Sequence, residues 1–159
     1  MPLKISDKAP NFVLKSPEGD EISLSALRGS RLLVFYKVTC PTCQLTLPFV
    51  QKLFESYGHA VRFLGISQDG EEETRRFAQD YGLTFPQLID YPDYPASLSY
   101  DVQVVPTLYL VDEEGRIDFV LESFVKSSLE ELNEKLADLA GSEVNPLFED
   151  VSVPPFKAG

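Results

Sequence analysis

The chain has 159 residues, 43% of them hydrophobic, and a formal net charge of −11. That length suits one globular domain with an ample core, and the acidic excess argues against nucleic acid or an anionic membrane as partner, since both recruit lysine and arginine. No stretch approaches the roughly 20 apolar residues of a membrane span, and Met1–Lys8 lacks the apolar centre of a secretion leader. A cytoplasmic protein is expected, or a periplasmic one if a leader or anchor has been removed.

Two short strand-like runs come first, Asn11–Leu14 and Glu21–Leu24, separated by Ser16-Pro17-Glu18-Gly19-Asp20, whose proline, glycine and aspartate mark a hairpin turn. Ser25–Gly29 reads as one helical turn ended by glycine. Arg31–Tyr36 is the short apolar and aromatic run of a buried strand, and Gln44–Tyr57 has helical periodicity, with Pro48 inside it where a kink is expected. Between strand and helix stand the only two cysteines, in Cys40-Pro41-Thr42-Cys43. The pair therefore opens a helix, where unpaired backbone N–H groups favour a thiolate and lower a thiol pKa from ~8.5 to roughly 3.5–7.5.

Other readings of two cysteines are weaker. A structural disulfide gains stabilisation from a long loop, and a two-residue spacer closes almost none. Zinc needs about four ligands, and the chain offers one Cys-x-x-Cys and a single histidine, His59, beside Gly58 in a predicted loop. The same scarcity argues against a cysteine–histidine hydrolase and makes His59 a surface residue.

Val61–Ile66 reads as the next strand, followed by Asp69 as a candidate N-cap and an acidic first helical turn, Glu71-Glu72-Glu73, a helix start rather than a metal cluster. Phe77 and Tyr81 share one face of that helix, and Gly82 is placed to end it. Asp90–Pro95 forms a polar, aromatic loop before a short helix over Ala96–Tyr100. Thr107–Val111 and Ile117–Leu121 flank Asp112-Glu113-Glu114-Gly115-Arg116 and read as an antiparallel hairpin. Ser127–Glu130 fits a capping box, and Leu129, Leu132, Leu136 and Leu139 then repeat at helical spacing up to Gly141. From Ser142 the prolines 146, 154 and 155 mark an extended tail, either packed on the body or disordered. The expected organisation is one domain over residues 1–141 and a tail over 142–159. Its fold class is α/β, a mixed sheet with helices on both faces and an N-terminal β-hairpin.

Lys8-Ala9-Pro10-Asn11-Phe12, Leu24–Gly29, Cys40-Pro41-Thr42-Cys43, Pro48, Tyr81–Pro86, and Val104-Val105-Pro106-Thr107 before Asp112–Gly115 together carry a resemblance. Over about residues 5–140 the chain resembles the thioredoxin superfamily, in its TlpA/ResA-like branch related to the alkyl hydroperoxide reductase and thiol-specific antioxidant proteins. The resemblance implies a thioredoxin-like fold and a role in redox homeostasis. It makes Cys40 the attacking thiolate and Cys43 the resolving cysteine, and makes Val105-Pro106 a cis peptide bond whose Val105 backbone binds an extended substrate strand. Without it, Pro106 is an ordinary proline at a strand start.

Several positions depart from that pattern. Thr39 stands where tryptophan commonly precedes the first cysteine, Val34 where thioredoxins bury an aspartate, and Thr46 where ResA-like proteins often have a glutamate. The proton acceptor for Cys43 is therefore unassigned, and Lys37 lowers the Cys40 pKa only if its ammonium turns toward the site, a solvated lysine being the simpler reading. Peroxiredoxins carry Pro-x-x-x-Thr-x-x-Cys and an arginine before the strand holding Thr107. Counting back from Cys40 gives Lys37 and Leu33, from Cys43 gives Cys40 and Tyr36, and Val104-Val105 occupies the arginine's place. The expected activity is therefore thiol–disulfide exchange, as a protein disulfide reductase. Thr39, Pro41, Thr42, Val105 and Pro106 shape the docking surface. No cofactor and no metal are expected. The partners are a disulfide-containing protein or small thiol and an upstream thiol reductant, and the chain works as a monomer. Alternatives are a thiol peroxidase and a non-catalytic thioredoxin-fold binding module.

Overall fold

A computed structural model describes residues 2–159, leaving out only Met1 of the opening segment read for a leader. The hairpin forms from β1 (Val13–Lys15) and β2 (Glu21–Ser23), with Val13 opposite Ser23. Gly19 turns it at φ +94°, a left-handed conformation that suits a residue without a β-carbon. A 3₁₀ turn at Leu24–Ala26 leads to β3 (Arg31–Tyr36), every residue of which is buried. Then follow α1 (Pro41–Tyr57), β4 (Arg62–Ser67), α2 (Glu71–Tyr81), β5 (Gln87–Ile89) and the short α3 (Pro95–Ser99). The second hairpin is β6 (Thr107–Val111) and β7 (Ile117–Glu122). Finally come β8 (Phe124–Val125), α4 (Lys126–Ala140) and β9 (Phe156–Lys157).

Seven strands form one sheet in the order β2-β1-β5-β4-β3-β6-β7, with β8 and β9 pairing apart. Strands β3, β4 and β5 run parallel, while β6 and β7 are antiparallel to their neighbours, so the sheet is mixed as expected. The period-2 alternation of a strand divides β3 between two cores. Leu32, Val34 and Tyr36 join a cluster with residues of α1, α2 and α4, while Leu33 and Phe35 join one with Ala96 of α3, Tyr100 and the N-terminal Phe12. Pro48 lies inside α1. Among the described residues no helix is long and apolar enough to cross a membrane.

Two helix starts differ from expectation. The N-cap of α2 is Gly70, with no side-chain cap, because the Asp69 carboxylate is engaged elsewhere. The cap of α4 is Val125, and the Ser127–Glu130 capping box does not form. There the Lys126 N–H donates to the Pro155 carbonyl at 3.0 Å, so a tertiary partner does what a cap side chain would. Residues 142–159 pack on the body through buried Leu147 and through Phe148, whose ring lies 4.8 Å from that of Phe49.

Candidate active site

Parallel pairing aligns Tyr36 with Ser67, so β3 and β4 end at one edge of the sheet and their following loops are neighbours. The Lys37–Cys40 loop is braced from three sides: the Val38 N–H donates to Asp69 Oδ2 at 2.8 Å, Gln44 Nε2 donates to the Val38 carbonyl at 2.9 Å, and the Cys40 N–H donates to the Lys37 carbonyl at 3.2 Å. Cys40 is the N-cap of α1, in extended conformation, and Pro41 follows at N1, where a missing N–H costs nothing. Cys40 Sγ accepts a hydrogen bond from the Cys43 N–H at 3.1 Å. Sulfur thus takes the place of the side-chain oxygen that usually caps a helix.

Both cysteines are free thiols, in unlike surroundings. Cys40 is half-buried, while Cys43 has no exposed surface. Burial pushes the Cys43 thiol far up from its ordinary value, helped by its hydrogen bond to Cys40 and by the charges of Cys40 and Asp69, and opposed by a backbone hydrogen bond at Lys37. Cys40 Sγ also donates to the Val105 carbonyl at 3.4 Å.

The Val105-Pro106 bond is cis, the isomer the resemblance implies. Its loop is held by Thr107 Oγ1 donating to the Val104 carbonyl at 2.7 Å and by the Ser123 N–H donating to the Pro106 carbonyl at 2.9 Å. Ser123 stands at φ +70°, a left-handed conformation that side chains rarely adopt, between β7 and β8. Thr39 and Pro41 are exposed beside Cys40, whereas Thr42 is buried, its hydroxyl donating to the Ala158 carbonyl. All seven residues singled out in the sequence therefore lie on this edge or in the loop that meets it.

Val34 is fully buried and Thr46 donates its hydroxyl back to the Thr42 carbonyl at 2.7 Å, so neither brings a carboxylate to Cys43. Asp69, read from sequence as a helix cap, is the carboxylate at this edge. Its position just past a strand parallel to β3 was the available signal. Ser123 and Ala158 carried no signal in the sequence. Lys37 and His59 are exposed, and among the described residues no group of three His, Cys, Asp or Glu is arranged to hold a metal ion.

This sheet order, with β3 delivering a Cys-x-x-Cys to the first turn of α1 and a cis-proline loop facing it, defines the thioredoxin-like class. The chain belongs to the AhpC/TSA family, whose sequence model matches residues 5–120. It is similar to the thioredoxin-like protein YneN of Bacillus subtilis, 32% identical over 78% of this chain and 75% of that one. The thiol-disulfide oxidoreductase ResA of Halalkalibacterium halodurans is also 32% identical, over 72% of this chain and 66% of its own. In structure the chain is similar to a thiol-disulfide oxidoreductase from Bacteroides fragilis, with TM-score 0.73 and 23% identity over 82% and 99% of the two chains. With this family and these relatives, the chain is an oxidoreductase of the thiol–disulfide class.

Proposed function

We propose that the protein is a protein disulfide reductase in which Cys40 attacks and Cys43 resolves. The observation that carries the assignment is the asymmetry of the pair: Cys40 is accessible and accepts the Cys43 N–H at the start of α1, while Cys43 is wholly buried behind it. A thiolate on Cys40 gains from that N–H and from the positive end of the helix. It attacks a substrate disulfide, forming a mixed disulfide and releasing one substrate thiolate. Cys43 then loses its proton and attacks Cys40 Sγ, releasing the second substrate thiol and leaving a Cys40–Cys43 disulfide. Two electrons have passed to substrate, and an upstream dithiol returns them by the reverse exchange.

Thr39, Pro41, Val105 and Pro106 surround the attacking sulfur and form the docking surface, with Thr42 at its inner edge. One chain carries both cysteines, so the proposal requires no second copy. A cytoplasmic location and a duty in redox homeostasis belong to the same proposal. A fluorescent fusion that followed the cell envelope would move protein and donor outside.

Insulin-disulfide reduction with dithiothreitol tests the assignment. Cys40→Ser is expected to abolish catalysis, and Cys43→Ser to accumulate a mixed disulfide on Cys40 that dithiothreitol releases. Equal activity in wild type and Cys40→Ser would overturn it. So would Cys40-dependent peroxide consumption without disulfide exchange.

A further inference from the structure

Residues 149–152 are exposed, and beyond them the chain turns back to the active site. Its base is fixed: Asn133 Nδ2 donates to the Asn145 carbonyl at 2.8 Å, the Asn145 N–H donates to the Tyr57 hydroxyl at 3.0 Å, and Phe148 lies against Phe49 and Phe124. The far end then makes a run of main-chain contacts. The Pro155 carbonyl accepts the Lys126 N–H, and Val125 and Phe124 pair antiparallel with Phe156 and Lys157. The Ala158 carbonyl accepts the Thr42 hydroxyl, and the Gly159 N–H donates to Ser123 Oγ at 3.0 Å. A β-carbon at Gly159 would collide with the Val105 carbonyl oxygen, the same atom that accepts the Cys40 thiol.

We propose that residues 153–159 occupy the groove in which a polypeptide substrate lies, so that substrate enters as an extended strand by displacing this segment. The proposal rests on Cys40 being the exchanging thiol. Three features support it. The contacts are of the kind any extended backbone can make, a β8 edge and two side-chain hydroxyls, which is how strand addition reads a peptide. The segment buries little: Phe156 is 57% exposed and all of residues 154–159 are exposed. It is thus a weak ligand that stays bound because its tether holds it near, at an effective concentration on the order of millimolar. Finally, it contains no cysteine, so it fills the groove without being turned over, and Pro154 and Pro155 keep it extended before it pairs.

The groove accordingly selects an extended polypeptide with a glycine-sized residue against Val105. A compact disulfide reagent that needs only Cys40 is not selected this way. Deleting residues 153–159 removes no residue of the seven-stranded sheet, of α1–α4 or of the Leu147–Phe148 anchor, and leaves the Lys126 N–H that Pro155 caps to water. Gly159→Val dislodges only the end of the segment by collision with Val105. Both variants are expected to lower KM for a peptide disulfide at least fivefold with kcat nearly unchanged, while rates with 5,5′-dithiobis(2-nitrobenzoate) change less than twofold. A fluorescein-labelled peptide of residues 153–159 should bind the deletion variant at least fivefold more tightly than it binds the full chain, and an extended substrate peptide should compete it off. Equal binding to the deletion variant and the full chain, or a label that no substrate peptide displaces, would overturn the proposal whether or not the enzyme turns over. If instead small-disulfide exchange persists in Cys40→Ser, the assignment of the reacting thiol has failed, a result distinct from an unresponsive KM.

Discussion

The carboxylate of Asp69 accepts the Val38 N–H from a residue 31 positions earlier, which is why nothing local in the sequence identified it. Next to Glu71-Glu72-Glu73 it has the appearance of a helix cap, whereas parallel pairing of β3 and β4 sets it beside the cysteine loop. Its charge is among the causes that hold the Cys43 proton in place. Asp69→Asn keeps the size and an acceptor oxygen but removes that charge. The expected outcome is resolution of the mixed disulfide at lower pH than in wild type, with the rate below the transition rising roughly threefold; rapid-quench measurement of mixed-disulfide decay across pH checks it, and an unshifted profile would show that Asp69 only braces the loop. Cys40 and Cys43, by contrast, were legible because their chemistry and spacing are local properties.

At the scale of elements, periodicity marks six of the nine described strands and the long helices; β5, β8 and β9, two or three residues each, carry too little pattern to be read, and two helix starts also differ. A helix N-terminus needs partners for its free N–H groups, and those partners need not be neighbours in sequence. α4 uses the Pro155 carbonyl from the far end of the chain. α3 uses Asp90, which is nearly fully buried and accepts from the Ala96 N–H, the Ser97 N–H and the Ser97 hydroxyl at 2.7–2.9 Å. Only five residues long, α3 depends on this one carboxylate to hold Ala96 and Tyr100 in the second core. Asp90→Ala strands buried donors and should cost about 3 kcal/mol. Urea unfolding would show a lower midpoint at unchanged slope; a loss below about 0.5 kcal/mol would mean that water replaces the carboxylate.

For the whole molecule, burial of ionisable groups sets a limit on the alkaline side. Burial raises the pKa of Cys43, Tyr36 and Tyr100 in the folded chain. In the unfolded chain a thiol ionises near ~8.5 and a phenol near ~10. Above those values the unfolded chain binds fewer protons than the folded one, so stability from these groups is complete below about pH 8.5 and falls as pH rises. The urea midpoint should therefore hold level from about pH 6 to 8 and then decline, and Cys43→Ala should move the onset up toward pH ~10, where the phenols take over. An onset that stays put would exclude the thiol as its source. By itself the sequence determined six strands, the long helices, the mixed sheet and the Cys-x-x-Cys at a helix start, because hydrophobic period and residue spacing act between near neighbours. Tertiary structure alone decided which carboxylate braces the cysteine loop, which carbonyl caps α4, and that residues 156–159 lie along β8 and over Val105. Those contacts join residues far apart in the chain, and backbone groups, identical in every residue, leave no trace of their partners in the sequence.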